Sequence, residues 1–399
     1  MSPRGSPPYA RWKRLSKSLE SEGTLTICYI CCEYPPLPHG GIGSFVQTLG
    51  RGFVKQGDKV RVLGLYSNGG KFGEFEEDQG VEVWRFPCPD RRLAWVPARY
   101  RLFRTIQNWA KRGEIDILEV PDWQGYAAGW PRLDVPLVVR LHGSITYFAS
   151  EMSEPIGKRA LWLESRAFHR ADFCCSTSAY TARRTNELLG ARPDDIRVLY
   201  TLVNIPPKIE TSERSPTRVV FAGTLTRKKG ILQLIKAWPL VLEQRPDAEL
   251  HVYGKDGGTD ERQLRKMLSE RDSNSVHFYG HIRTEELRNV YRTARLAVFP
   301  SYTEAFALAP IEAMAEACPV IYSKLHSGPE LITHGHDGFL VDPDDLRALS
   351  DDILGLLNDD ELACRLGRRG RERAEARFSP GPVVERNRRY YQECIDSFR

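Results

Sequence analysis

Two doubly wound α/β domains facing each other across a cleft are the fold class this sequence predicts. Three observations lead there. Short apolar runs alternate with helix-forming stretches along nearly the whole chain, the pattern of βαβ units and parallel sheets. The alternation is interrupted once, over 204–217 (NIPPKIETSERSPT), which is dense in Pro, Ser and charge and reads as a domain boundary. The chain also has 399 residues, more than one ordinary core accommodates.

The first series of strand-like runs falls at 24–32, 59–65, 81–86, 115–120, 136–141 and 173–178. Most are continuously apolar, as strands covered on both faces must be. After the first run comes a Pro- and Gly-rich loop, then Phe45, Leu49 and Phe53 at helical spacing on one face. A second helical stretch spans 99–112. The second series begins after the boundary, with runs at 218–222, 248–253, 275–279, 296–299 and 319–322. A terminal helix is expected after Pro380. The expected division is a basic tail 1–23, a first domain 24–207, a second domain 208–380 and a last helix 381–399.

Composition excludes several classes. Apolar residues make up 41% and charged residues 27%, which suits a globular chain, and a net charge of +5 is too small to argue for a nucleic-acid partner. No run approaches the ~18 apolar residues of a membrane span. The tail lacks the apolar stretch of a secretory leader. Arg11, Lys13, Arg14 and Lys17 make it basic, so a solvated tail or a weak peripheral membrane contact is expected. Nine cysteines show no zinc-ribbon spacing. Cys28 and Cys31 lie three apart in a strand, on opposite faces, so they read as buried free thiols of a reducing cytoplasm.

The organising stretch is 301–315 (SYTEAFALAPIEAMA), which follows the apolar run 296–300. A strand that ends in a loop and opens a helix presents unpaired N–H groups and the positive end of a dipole, a natural anion site. Glu304 and Glu312 bracket it. Eight helical steps would separate them by roughly 12 Å. A glycosidase pair stands about 5 to 9.5 Å apart. The two acids therefore suit the ends of an extended ligand, each accepting a diol, or else they are merely solvated.

Other candidates lie at strand ends. Gly40-Gly41-Ile42-Gly43 lets backbone approach a phosphate, but Val46 stands where a dinucleotide fingerprint needs a third glycine. His142 ends the run 137–141, at an edge that faces a cleft in open α/β sheets. The segment 222–230 (AGTLTRKKG) supplies Arg227, Lys228 and Lys229 to meet phosphate oxygens, or a solvated loop. The acid clusters at 342–345 and 351–352 read as helix caps and polar face rather than as a metal site. The tract 365–377 reads as a solvated helix.

The string 299–314 (FPSYTEAFALAPIEAM), followed by Cys318-Pro-Val-Ile321 and Asp337-Gly-Phe-Leu340, resembles the donor-binding signature of retaining GT-B glycosyltransferases of family 4. The likeness runs from about residue 24 to 399. It implies the GT-B fold, with the terminal helix crossing back onto the first domain. It implies a nucleotide-sugar donor, UDP first and GDP second, no cofactor and no metal. A hydroxyl acceptor on a glycan, lipid-linked sugar or small metabolite would bind to first-domain loops, and the oligomeric state is left open. By resemblance His142 contacts the donor sugar, Glu304 its hydroxyls and Glu312 the ribose. Gly40 and Gly41 approach the diphosphate, Lys229 holds it beside Gly223, Thr224 and Arg227, and Phe306, Ala307, Leu308 and Ala309 line the donor loop. Tyr253, Gly254, His281 and Ile282 flank the base. Thr224, Ala305 and Ala307 depart from the family's usual arginine and glycines. A nucleotide-sugar 2-epimerase of the same fold is the alternative enzyme, and a binding protein with a decayed site the other.

Overall fold

A computed structural model describes residues 23–37, 40–67, 75–88, 94–192, 195–206 and 213–398. The basic tail over 1–22 and the domain linker over 207–212 lie outside them, as do parts of the loops at 71–79 and 91–100.

The first sheet comprises β1 (Thr26–Ile30), β2 (Lys59–Tyr66), β3 (Phe75–Asp78), β4 (Val81–Pro87), β5 (Ile117–Pro121), β6 (Leu137–Leu141), β7 (Phe173–Ser176) and β8 (Arg197–Val198). Their order is β3-β4-β2-β1-β5-β6-β7-β8, parallel throughout except for β3 against β4. Helices α1 (Gly41–Lys55), α2 (Trp95–Lys111), α3 (Ile145–Glu151), α4 (Lys158–Arg170) and α5 (Ala179–Leu189) connect them. The sheet grows from β1 outward on one side, then resumes at β5 on the other. That reversal opens a crevice at the strand C-termini.

The second sheet repeats the device. Its strands are β9 (Arg218–Ala222), β10 (Glu249–Tyr253), β11 (Val276–Gly280), β12 (Leu296–Phe299), β13 (Val320–Ser323) and β14 (Phe339–Val341), ordered β11-β10-β9-β12-β13-β14. The switch point lies between β9 and β12, the strands that precede the lysine loop and the Glu304 loop. The helices are α6 (Ile231–Gln244), α7 (Glu261–Arg265), α8 (Glu270–Ser273), α9 (Thr284–Thr293), α10 (Leu308–Ala315), α11 (Gly328–Leu331), α12 (Leu346–Asn358), α13 (Asp360–Phe378) and α14 (Pro380–Phe398). This is the GT-B architecture.

All eleven apolar runs read from sequence are strands. β3 and β8 escaped notice because they are short with little apolar character, and β14 because it has only three residues. The tract read as a solvated helix is solvated on one face only. α13 buries Leu366, Gly370, Ala374 and Phe378.

The last helix, α14, packs on the first sheet. Val383, Val384, Tyr390, Tyr391 and Ile395 join the core formed by Tyr29, Phe45, Phe53 and Val62. Beneath them the buried Arg140 donates to both oxygens of Glu119, 2.8 Å each, and to Asn387 Oδ1 at 2.6 Å. Tyr391 donates to Glu119 Oε2 at 2.6 Å. An ion pair taken out of water holds only if its remaining hydrogen bonds are satisfied, and α14 supplies three of them, the third from Arg140 to the Tyr391 hydroxyl at 3.2 Å. Cys28 and Cys31 are buried in cores on opposite faces of the sheet, and burial pushes the Cys28 thiol up to about 12.

Candidate functional site

The loop after β12 carries Glu304, and α10 begins at Leu308. Glu304 therefore lies in the loop, and the two acids do not share a helix. α10 has Ala307 at its N-cap, no capping side chain and no acid in its first turn. Among the described residues, no side chain caps its leading amides, those of Leu308 and Ala309 included.

Against this loop packs the turn after β9. Arg227–Lys229 form a 3-10 turn closed by Gly230, whose φ is +73°. A Cβ there would stand 1.8 Å from the Pro300 carbonyl oxygen, so only glycine permits the approach. Tyr302 N donates to Lys228 O at 2.8 Å. The result joins the two motifs: Lys229 Nζ donates to Glu304 Oε1. Glu304 is 12% exposed at the side chain. Burial pushes its carboxyl up, but Lys229 and Lys228 overcome this and hold it below the usual range. Lys228 is pushed down to about 8, by burial first and by Lys229, against the pull of Glu304.

His142 stands at the end of β6, edge-on to Phe45 with ring centroids 5.1 Å apart. Burial, aided by Arg140, lowers its pKa to about 3, so the imidazole is neutral near pH 7. Sequence reasoning missed the two buried acids that hold its loop. His142 N donates to Asp122 Oδ1 at 2.9 Å, and Asp122 Oδ2 has no partner. Burial pushes the Asp122 carboxyl up to about 8, with Glu164 adding to the rise against the His142 and Gly143 amides. Glu164 accepts from Ile145 N and Thr146 N, both at 3.0 Å. An acid just past a strand end, in Pro121-Asp122-Trp123, was the signal available.

The two domains meet across the cleft at the Glu304 loop. Tyr147 donates to Glu304 O at 3.2 Å, Ser178 to Ala305 O at 2.9 Å and Thr181 to Ala305 O at 3.1 Å. Glu330, at the start of α11, accepts from Ala179 N and Tyr180 N at 2.8 and 2.9 Å, so a second-domain acid caps α5. Tyr147 is thereby fully buried between the two domains.

The other expected residues divide. Tyr253 stacks on Tyr279 at 4.8 Å and 9°, and Gly254 N donates to Gly280 O at 2.8 Å, which brings the two base-flanking segments together beside exposed His281. Ile282 packs into the core. Gly223 and Thr224 are half-buried beside the lysine turn, and Arg227 is exposed. Burial raises the pKa of Glu312 despite nearby Arg288. Phe306 packs on Tyr200 and Phe378, centroids 5.2 and 5.5 Å away, and offers no open ring face. The glycine loop is met by an acid: Gly43 N donates to Glu33 Oε1 at 2.8 Å, and a Cβ on Gly40 would lie 3.2 Å from that carboxylate. Gly41 faces open space. Asp345 caps α12 by accepting from Ala348 N at 2.9 Å, as the cap reading expected. Elsewhere, Glu249, His251 and His277 bring ligand atoms within 4.8 Å of one another, toward the opposite strand ends from Gly254, where the Arg218 charge also acts on His251.

The family description "Glycosyltransferase Family 4" matches residues 39–205, and "Glycosyl transferases group 1" matches residues 206–373. The chain belongs to the family 4, group 1 glycosyltransferases. This glycosyltransferase is 24% identical over 385 residues to the glycogen synthase of Mycobacterium tuberculosis, covering 89% of the chain and 91% of that protein. It is 24% identical over 364 residues to the D-inositol 3-phosphate glycosyltransferase of Pseudarthrobacter chlorophenolicus, covering 84% and 86%. Among solved folds, sucrose-phosphate synthase from Thermosynechococcus elongatus superposes with a TM-score of 0.76 at 20% identity, over 94% of the chain and 100% of that structure. Anabaena Alr3699/HepE in complex with UDP and glucose gives 0.71 at 17% identity, over 92% and 100%. The family match establishes the transferase class, and the structural likenesses the fold. Among the described residues, no helix of this glycosyltransferase is long and apolar enough to cross a membrane.

Proposed function

We propose that the enzyme transfers a sugar from a nucleotide-diphosphate sugar, UDP-linked before GDP-mannose, to an acceptor hydroxyl, with retention of the anomeric configuration and without a metal. The observation that carries this is the Lys229–Glu304 pair beside the uncapped start of α10. An arriving diphosphate competes with Glu304 for Lys229. The lysine then neutralises the phosphate, and Glu304 is released to accept sugar hydroxyls. Lys228 and the α10 amides add positive field where charge develops on the departing diphosphate. His142, being neutral, donates or accepts one hydrogen bond at the sugar without repelling Lys229. No second free carboxylate stands beside Glu304 among the described contacts, so the acceptor's proton goes to a donor phosphate oxygen on the same face. Glu312 would take the ribose diol, which relieves its desolvation.

The test is a thermal-shift series with UDP, GDP and ADP, followed by turnover of the stabilising nucleotide's sugars and NMR of the product anomer. Stabilisation by UDP and an axial-to-axial product support the reading. An inverted product, abolition of transfer by EDTA, or epimerised donor in the absence of acceptor overturns the corresponding part.

A further inference from the structure

The strands β10 and β11 run parallel, and His251 stands directly across the ladder from His277. Glu249 comes two residues before His251 on β10, so it shares the same face of the sheet. Two adjacent backbones thereby collect two imidazoles and a carboxylate. His251 Nε2 and Glu249 Oε2 lie 3.2 Å apart, and the rings of His251 and His277 meet edge-on with centroids 5.1 Å apart. Ligand atoms of all three lie within 4.8 Å of one another, and among the described residues no other trio of His, Cys, Asp or Glu does so. The ligands of a tetrahedral zinc ion, each about 2.0–2.2 Å from it, stand about 3.3–3.5 Å from one another. Glu249 and His251 already meet that spacing. Rotation of the half-exposed Glu249 and His277 side chains closes the remainder.

Two further features hold the cluster ready. The His251 side chain is only 8% exposed, and its ring stacks on Tyr279 with centroids 5.3 Å apart and planes 23° apart. Packing therefore locks the rotamer of the central ligand. Arg218, across the ladder from Glu249 on β9, does not claim the carboxylate: it donates to Thr293 Oγ1 at 3.2 Å, and its Nε has no partner. Glu249 is left to the histidines.

We infer that Glu249, His251 and His277 bind a divalent transition-metal ion, Zn²⁺ foremost. Two imidazoles and one carboxylate suit that class, whereas Mg²⁺ and Ca²⁺ call for oxygen ligands throughout. Three protein ligands leave a fourth position to water, and the half-exposed Glu249 and His277 leave an entry path. The ion would clasp the edge of the second sheet. β11 is the terminal strand, and its pairing with β10 turns irregular between Val252 and Tyr253, just past His251. Beyond that point lie the stacked Tyr253 and Tyr279 and the bond from Gly254 N to Gly280 O. A metal ahead of the irregularity fixes the base of this turn. The lysine turn and the Glu304 loop follow other strands, β9 and β12, so the ion takes no part in sugar transfer. Any gain in nucleotide affinity through the turn rests on the proposed transfer reaction, whereas binding of the ion does not.

The test uses the untagged full chain, stripped with EDTA and kept reduced. It is titrated with Zn²⁺ by calorimetry and with Co²⁺ by visible absorption. One equivalent of each ion is expected to bind, with no thiolate charge-transfer band in the Co²⁺ spectrum and no competition from excess Mg²⁺. Zn²⁺ is also expected to raise Tm. Glu249→Ala and His277→Ala should each weaken Zn²⁺ binding at least about tenfold while leaving the metal-free Tm unchanged. Absence of binding, a thiolate band, competition by Mg²⁺, or wild-type affinity in both variants overturns the inference. The thermal shift with UDP is read separately on the stripped chain, where it should persist. Its absence there would count against the transfer reading and leave the Zn²⁺ result standing.

Discussion

The Lys228 ammonium of the second domain lies 3.1 Å from the centroid of the Phe148 ring of the first. A cation is thus seated on an aromatic face across the cleft, and its neighbour Lys229 is free to pair with Glu304. Phe148 is held in place by Gly143, whose φ is +88° and whose absent Cβ would stand 2.9 Å from that ring. The His142 loop, the lysine turn and the Glu304 loop are therefore one assembly drawn from both domains.

Lys229→Ala and Glu304→Ala should fail differently. Loss of a charge-assisted phosphate contact costs about 1.5–3 kcal/mol, so Lys229→Ala should weaken UDP binding tenfold or more. Glu304→Ala should leave nucleotide affinity equal or tighter, since it frees Lys229, while kcat falls by about 10²–10³. Calorimetric titration with UDP and initial rates separate the two. Parallel losses in both constants by both variants would contradict the assigned roles.

Lys228 sets a pH limit on the donor. Its folded pKa is pushed down to about 8, so its charge is present below that pH and lost above it. Donor affinity should fall as pH rises through about 8, and Lys228→Met should flatten the profile at the lower, high-pH affinity. A profile unchanged by the substitution would remove Lys228 from the site.

Asp122 makes stability depend on pH in the opposite sense from most acids. Its folded pKa is raised to about 8, well above its unfolded value of ~3.9, so between those values the folded state binds the extra proton. Stability contributed by the buried neutral carboxyl is complete below about pH 4 and lost as pH rises toward 8. Asp122→Asn should narrow the fall in Tm between pH 5 and pH 8, measured by calorimetry. An unaltered difference would show that Asp122 is not the titrating group.

Truncating either partner of Arg140 should loosen the α14 anchor, but unequally. Glu119→Ala leaves Arg140 buried without its carboxylate, and breaking a buried pair in this way costs about 3–5 kcal/mol. Asn387→Ala removes a single bond to Arg140 and should cost less, about 1.5–3 kcal/mol. Denaturant midpoints rank them. Reversal of that order would mean α14 is held by its apolar face alone.

Much of this was legible in the residues. Strand runs such as 296–299 and 218–222 are short, continuously apolar and flanked by Gly, Pro or charge, so their period and burial follow from local chemistry. That local pattern determined the two sheets, the strand–loop–helix that opens α10, and the placing of Glu304, Lys229 and His142 at strand ends. Only tertiary structure decided which ends meet. Lys229 and Glu304 are 75 residues apart, and their pairing follows from β9 lying next to β12. Glu33 covering the glycine loop, Asp122 and Glu164 holding the His142 loop, and Phe306 turned into packing rather than toward the cleft all depend on contacts between separate loops. Sequence periodicity reports the face a residue turns to its own sheet. It carries no information on what a neighbouring loop brings to that face, and the chemistry of this cleft is made there.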